Sequence, residues 1–181
     1  GAARAAVKKL AGLGLVEVEQ REPPRDPFFA TLAARDEPPL LNEAQASAAE
    51  KIGSAITGEP GAPRAFLLFG VTGSGKTEVY LSSIERILEG QPAAQALLLV
   101  PEINLTPQLE ARVRARFPAQ GVVALHSGLA AGERSKAWLA AHEGRAHVVI
   151  GTRLAVFASM PHLAAIVVDE EHDASYKAGE G

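Results

Sequence analysis

From residue 62 onward, short apolar runs alternate with stretches whose apolar residues recur at helical spacing, the pattern of a parallel sheet with crossover helices. Five runs predict strands: AFLLFG (65–70), ALLLVP (96–101), VVALHS (122–127), HVVIGT (147–152) and AAIVVDEE (164–171). Between them, Thr77 to Glu89 carries Leu81, Ile84 and Leu88 on one face and ends at Gly90 with Pro92 beyond, a helix with its stop signal. A second helix starts at LTPQ, where Thr106 can cap it and Pro107 suits the first helical position. Its Leu109, Val113 and Phe117 recur every four residues on the buried face. A third spans about Gly132 to Glu143 around Trp138, with a face made mostly of alanine.

The first forty residues read differently. AAVKKLAGLGLVEVEQRE predicts a helix, a glycine turn and an alternating strand, and REPPRDPFFA a proline-rich link. A lone helix and strand cannot bury a core of their own. Residues 1–22 are therefore expected to be the tail of a preceding domain, 23–40 a linker, and 41–181 the main lobe. A chain of 181 residues, 47% hydrophobic, suits one well-packed domain with a small appendage. No apolar run reaches the roughly 18 residues of a membrane span, and GAARAAVKKLAGLG lacks the apolar core of a secretory signal, so a cytosolic setting without membrane contact is expected. The absence of cysteine excludes disulfides and thiolate metal sites within this stretch. A net charge of -3 offers no basic excess to attract phosphate, so any nucleic-acid binding must come from motifs.

GVTGSGKT, Gly70 to Thr77, matches G-x-x-x-x-G-K-[ST] between a predicted strand and a predicted helix. Gly70, Val71, Thr72, Gly73, Ser74 and Gly75 would turn successive backbone N–H groups toward a phosphate. The N-terminus of the following helix adds its partial positive charge. Lys76 would reach the β and γ phosphates and Thr77 would ligate Mg²⁺. The plain alternative is a glycine-rich turn that binds nothing, although glycine weakens a turn-to-helix junction unless the backbone has something to approach.

Phosphoryl transfer also needs an acid to hold the metal's water shell and another to orient the attacking water. AAIVVDEEH supplies both: Asp169, expected to end a buried strand beside the strand feeding the loop, is the candidate magnesium partner, and Glu170 the water-polarising base. Taken alone, DEEHD could equally solvate a sheet edge. His172 either senses the γ-phosphate or hydrogen-bonds an acid. In LNEAQASAA, Gln45 can read an adenine edge with its carboxamide, yet Asn42 and Gln45 also stand at the spacing of a capping box.

GVTGSGKTEVYL, LLLVPEINLTPQ, LHSGL with ER and W downstream, VIGTRLAVF and VVDEEHDASYK together resemble the bacterial replication-restart helicases, the primosomal DNA helicases of superfamily 2 with a DExH motif. The resemblance runs from about Leu41 to the end of the chain. It implies an α/β fold: a RecA-like P-loop NTPase lobe, a parallel sheet with helices on both faces, behind the tail of a winged-helix domain. It makes Gln45 the adenine contact of a Q motif, Gly70 to Thr77 motif I, and Asp169 to His172 motif II. Pro101 to Gln108 and Gly151 to Phe157 become motifs Ia and Ib, expected to grip one DNA strand through its phosphates. Thr106, Thr152 and Arg153 are the side chains implied there, with a helix cap the plainer role for Thr106. Arg112, Arg114 and Arg116 either touch DNA or form a solvated face.

The resemblance further implies ATP and Mg²⁺ as cofactors, stalled forks and single-stranded DNA as substrates, and single-stranded DNA-binding protein and other primosomal proteins as partners. Such a helicase moves 3′ to 5′ and restarts replication. The family is expected to continue beyond motif II with a second lobe bearing an arginine finger and a cysteine-rich zinc module, so no zinc is assigned to these residues. A competence-type DNA translocase with the same first lobe, or a platform that holds ATP or DNA without chemistry, are the other readings.

Overall fold

The computed structural model describes residues 9–14, 38–58 and 64–177. The chain divides into two units, Gly1–Ala30 and Thr31–Gly181. In the first, residues 9–12 form a helical turn that Gly14, at φ 67°, closes in the left-handed region. The expected strand and proline-rich link of residues 15–37 lie outside the described residues.

The second unit is built from four helices, α1 (Glu43–Thr57), α2 (Lys76–Gly90), α3 (Pro107–Arg116) and α4 (Ala131–His142), and four strands, β1 (Gln95–Leu99), β2 (Val122–Leu125), β3 (Val148–Gly151) and β4 (Leu163–Val168). The strands form one parallel sheet in the order β2-β3-β1-β4. Side chains of a strand alternate between faces, and here the alternation separates two cores. Ala96, Leu98, Val122, Ala124, Val148 and Ile150 face α2 and α3, where Leu81, Ile84, Ile87, Val113 and Phe117 cover them. Leu97, Leu99, Val123, Leu125 and Val149 face α4, which meets them with Ala137, Ala140 and Ala141. The alanine face expected around Trp138 is thus the packing face, short enough to let α4 lie close to the sheet. With helices on both faces, the α/β arrangement expected from the chain is the one found.

The local chemistry of the helix ends also follows the sequence. Thr106 caps α3 by accepting from the Leu109 amide at 3.2 Å, with Pro107 at the first position. Helix α2 runs one residue beyond the expected limit at each end.

The predicted strand at 65–70 is not found. Residues 64–71 run without regular structure, and Leu67 and Phe69 are 80% and 93% exposed. An apolar run becomes a strand only when a neighbouring backbone completes its ladder, and among the described residues none lies beside it. Strand β4 is accordingly an edge, paired only to β1, and Leu163, Ile166 and Val168 remain exposed. The expectation of a buried strand beside the one feeding the loop is therefore corrected on both counts.

At the opposite end of the sheet, Gln95 is fully buried and its carboxamide is shared by three segments. Nε2 donates to the carbonyls of Ala141 and Ala146, each at 2.8 Å, and Oε1 accepts from the His162 amide at 3.1 Å. Replacing it by an apolar side chain leaves those groups buried without partners. Gln95→Leu is expected to lower the unfolding free energy by roughly 2–3 kcal/mol, read from urea denaturation followed by Trp138 fluorescence.

Candidate functional site

Part of the motif set meets at a cavity of about 590 Å³, whose lining does not include Gln45, Gly70, Val71, Ser74, Thr152, Arg153 or His172. Its lining includes Thr72, Gly73, Lys76 and Thr77 from the loop and α2, Thr106 and Arg112 from α3, and Asp169 and Glu170 from the end of β4. For Thr106 and for Asp169 and Glu170 the parallel sheet explains the convergence, because the segments after β1 and β4 emerge at the same edge.

The loop closes through a turn in which the Ser74 amide donates to the Val71 carbonyl at 3.1 Å. Gly73 and Gly75 take φ of 79° and 82°, where a side chain would be strained. Gly75 has a second reason: a Cβ there would stand 2.5 Å from Gln45 Nε2. Lys76 opens α2, and its ammonium donates to the carbonyls of Gly70 at 2.7 Å and Val71 at 3.0 Å. The cation is thereby held over the loop mouth by carbonyls that an anion can replace.

Gln45 takes the capping-box role and also reaches the phosphate loop. It completes the capping box, its Oε1 accepting from the Asn42 amide at 3.0 Å while its own amide donates to Asn42 Oδ1 at 2.9 Å. Its Nε2 donates to the Ser74 carbonyl at 2.9 Å. One carboxamide thus ties the start of α1 to the phosphate loop.

Asp169 continues the β4 ladder, its amide donating to the Leu99 carbonyl at 2.9 Å. Tyr80, buried in α2, donates from its hydroxyl to Asp169 Oδ2 at 3.4 Å and also meets the Thr77 side chain. Tyr176 donates to the Asp169 carbonyl at 2.9 Å. Burial and, next, the Glu170 charge hold the Asp169 carboxyl above its ordinary range, against the Tyr80 hydrogen bond. Burial likewise raises both tyrosines, with the Asp169 charge adding to it. Glu170 sits at φ 49°, a left-handed conformation costing about 1 kcal/mol outside glycine, and its carbonyl accepts from the Asp173 amide at 2.8 Å. His172 is largely exposed, with Nε2 3.6 Å from Glu170 Oε2. Asp173 caps the turn Ala174–Tyr176, and the Ser175 side chain and amide hold its carboxyl below the usual range.

The residues expected to meet DNA divide. Thr106 and Arg153 are exposed, and Arg153 donates to the Lys177 carbonyl at 3.0 Å. Thr152 is 2% exposed, its hydroxyl finds no partner among the described residues, and its carbonyl accepts from the Ala155 amide at 2.8 Å at the start of the turn Arg153–Phe157. The three arginines of α3 differ: Arg116 is buried against Glu78 and Glu85, whereas Arg112 pairs with Glu78 at the surface and Arg114, half-buried, pairs with Glu110.

Residues 42–181 match the DEAD/DEAH box helicase family profile, which spans the loop and the acidic strand end alike. The chain belongs to the DEAD/DEAH box helicase family. Within that helicase family it is similar to the replication restart protein PriA of Bacillus subtilis (strain 168), 42% identical over 176 residues, covering 97% of this chain and 21% of that protein. The PriA protein of a Synechocystis strain is 43% identical over 172 residues, 94% of this chain and 20% of its own length. That of a Haemophilus influenzae strain is 51% identical over 112 residues, 62% of this chain and 15% of its own. The chain thus spans about a fifth of the length of the first two relatives.

Tyr80 and Tyr176 stand inside the motif stretches but are given no role by them, although both contact Asp169. The signal for Tyr80 is its position: three residues after Thr77, it returns to the same side of α2. Because its pKa is raised on folding, Asp169 holds its proton more tightly folded than unfolded, and its contribution to stability falls as pH rises from the ordinary value through the raised one. Asp169→Asn is therefore expected to melt at higher temperature than the native chain at neutral pH, with the gap closing toward acid pH, by differential scanning fluorimetry.

Proposed function

We propose that this chain is the ATP-binding first lobe of a DNA helicase that restarts replication. The observation that carries this reading is the single cavity shared by the GVTGSGKT loop and the DEEH strand end. Loop N–H groups and Lys76 would hold the phosphates, with Gln45 beside the loop to meet the adenine edge.

The donor set suits Mg²⁺, which accepts one or two protein oxygens and takes the rest from phosphate and water. Thr77 and Asp169 would hold it, and Tyr80, in contact with both, fixes their spacing. When bound, the ion would neutralise charge developing on the transferred phosphoryl group. Glu170 orients the attacking water, and His172, two residues further on, reports on the γ-phosphate side.

DNA phosphates would meet Thr106 and Arg153 at the same edge of the sheet, Arg153 in the turn that follows the buried Thr152. Forks and single strands as substrates, 3′ to 5′ movement, and single-stranded DNA-binding protein and primosomal proteins as partners belong to this proposal and rest on the similarity to PriA. So does zinc, expected outside these residues, since the chain has no cysteine. None of the described helices is long and apolar enough to cross a membrane.

An arginine finger is worth about 10³ to 10⁵ in rate in P-loop enzymes, so this lobe by itself is expected to bind nucleotide and hydrolyse it slowly. Titration with a fluorescent ATP analogue and Mg²⁺ tests the reading. Lys76→Ala should weaken binding by about tenfold or more, the loss of charge-assisted hydrogen bonds worth roughly 1.5–3 kcal/mol. Equal affinity of the native and Lys76→Ala chains would count against it.

A further inference from the structure

The first turn of α2 carries a buried acid that phosphate binding does not use. Glu78 follows Thr77 directly, and both of its carboxylate oxygens are taken by α3. Oε1 accepts from Arg116 at 2.7 Å and Oε2 from Arg112 at 2.9 Å. Arg116 reaches further along α2, to Ser82 Oγ at 3.1 Å and Glu85 Oε2 at 2.8 Å. Residues 78, 82 and 85 share one face of α2, and 112 and 116 one face of α3. The Glu78 and Arg116 side chains are only 7% and 5% exposed.

Stability does not explain this arrangement. Removing an ion pair from water costs several kcal/mol per charge, and apolar residues of similar volume commonly hold a helix pair at least as well. Arg116 Nε finds no acceptor among the described residues, so the network is not even fully satisfied. What charged hydrogen bonds supply, and apolar contact does not, is one fixed register between two helices. Those helices matter for different reasons: α2 begins at Lys76 and Thr77, and α3 begins at Thr106. From Thr106 to Arg112 is about 9 Å along the helix, and both line the cavity with Glu78.

We propose that Glu78 is a positioning residue that couples the phosphate loop to the DNA-facing end of α3. A displacement of the first turn of α2 on phosphate binding carries Glu78 with it. The two arginines then move α3, and with it the Thr106 cap. The inference rests on the nucleotide and DNA sites proposed above.

Coupling is measurable without turnover. Dissociation constants are determined for a fluorescent ATP analogue with Mg²⁺, with and without saturating oligo-dT, and for labelled oligo-dT with and without saturating analogue. Linkage requires the two ratios to agree, and a coupled native chain should give about fivefold or more. Glu78→Gln, which keeps size and loses charge, should bring the ratio to within about twofold of one while each separate affinity changes less than about threefold. Glu78→Asp should recover part of it. An effect confined to packing would lower melting temperature without moving the ratio. Should Glu78→Gln fail to fold, Arg112→Gln, at an exposed guanidinium that leaves the Arg116 pair intact, should lower the ratio by the same route. A native ratio of one, or a native ratio retained in the folded Glu78 and Arg112 variants, overturns the coupling. Failure of the native chain to bind the analogue overturns instead the nucleotide reading on which it stands.

Discussion

The groups that follow the strands of this lobe owe their place to one constraint, that the four described strands run in the same direction. A parallel strand must return its chain to the starting edge through a crossover, so the segment after each strand emerges on the same side. Pro101 to Thr106 come after β1, Thr152 and Arg153 after β3, and Asp169 and Glu170 after β4. Residues separated by some sixty positions in sequence become neighbours with no contact between them required to bring this about. The specific contacts then adjust distances within that edge.

Those adjustments are made largely by polar side chains. Gln95 joins the end of α4 to two loop segments at one end of the sheet, while the partly exposed Gln45 and the buried Tyr80 and Glu78 work at the other. Each satisfies backbone or charged groups that would otherwise be costly to bury. The raised carboxyl of Asp169 is the counterpart: burial and the neighbouring Glu170 charge leave it a poor host for negative charge.

Helices α2 to α4, the Thr106 cap and strands β1 to β3 can be read in the chain because each is fixed by nearby residues. Thr106 with Pro107 marks a helix start whatever surrounds it, and VVALHS or HVVIGT has no soluble alternative to a covered strand. The run AFLLFG misleads for a physical reason: its apolarity is a local property, whereas its ladder depends on a neighbour that sequence spacing does not reveal. The phosphate loop and DEEH are legible as motifs. Tyr80, Tyr176 and Glu78 are not, since a tyrosine or glutamate in a helix looks the same in sequence whether it faces water or a buried partner. The arginines of α3 show this most clearly, spaced like a solvated face yet, at Arg116, buried between two glutamates.

The outer side of β4 has a consequence of a different kind. Its backbone donors and acceptors have no ladder partner on that side among the described residues, and Leu163, Ile166 and Val168 lie exposed along it. No proline interrupts the strand and no lysine guards it. An edge of this composition is a template for any extended segment, including one from another molecule. As a purified chain, the lobe would therefore be limited less by its fold than by self-association in concentrated solution.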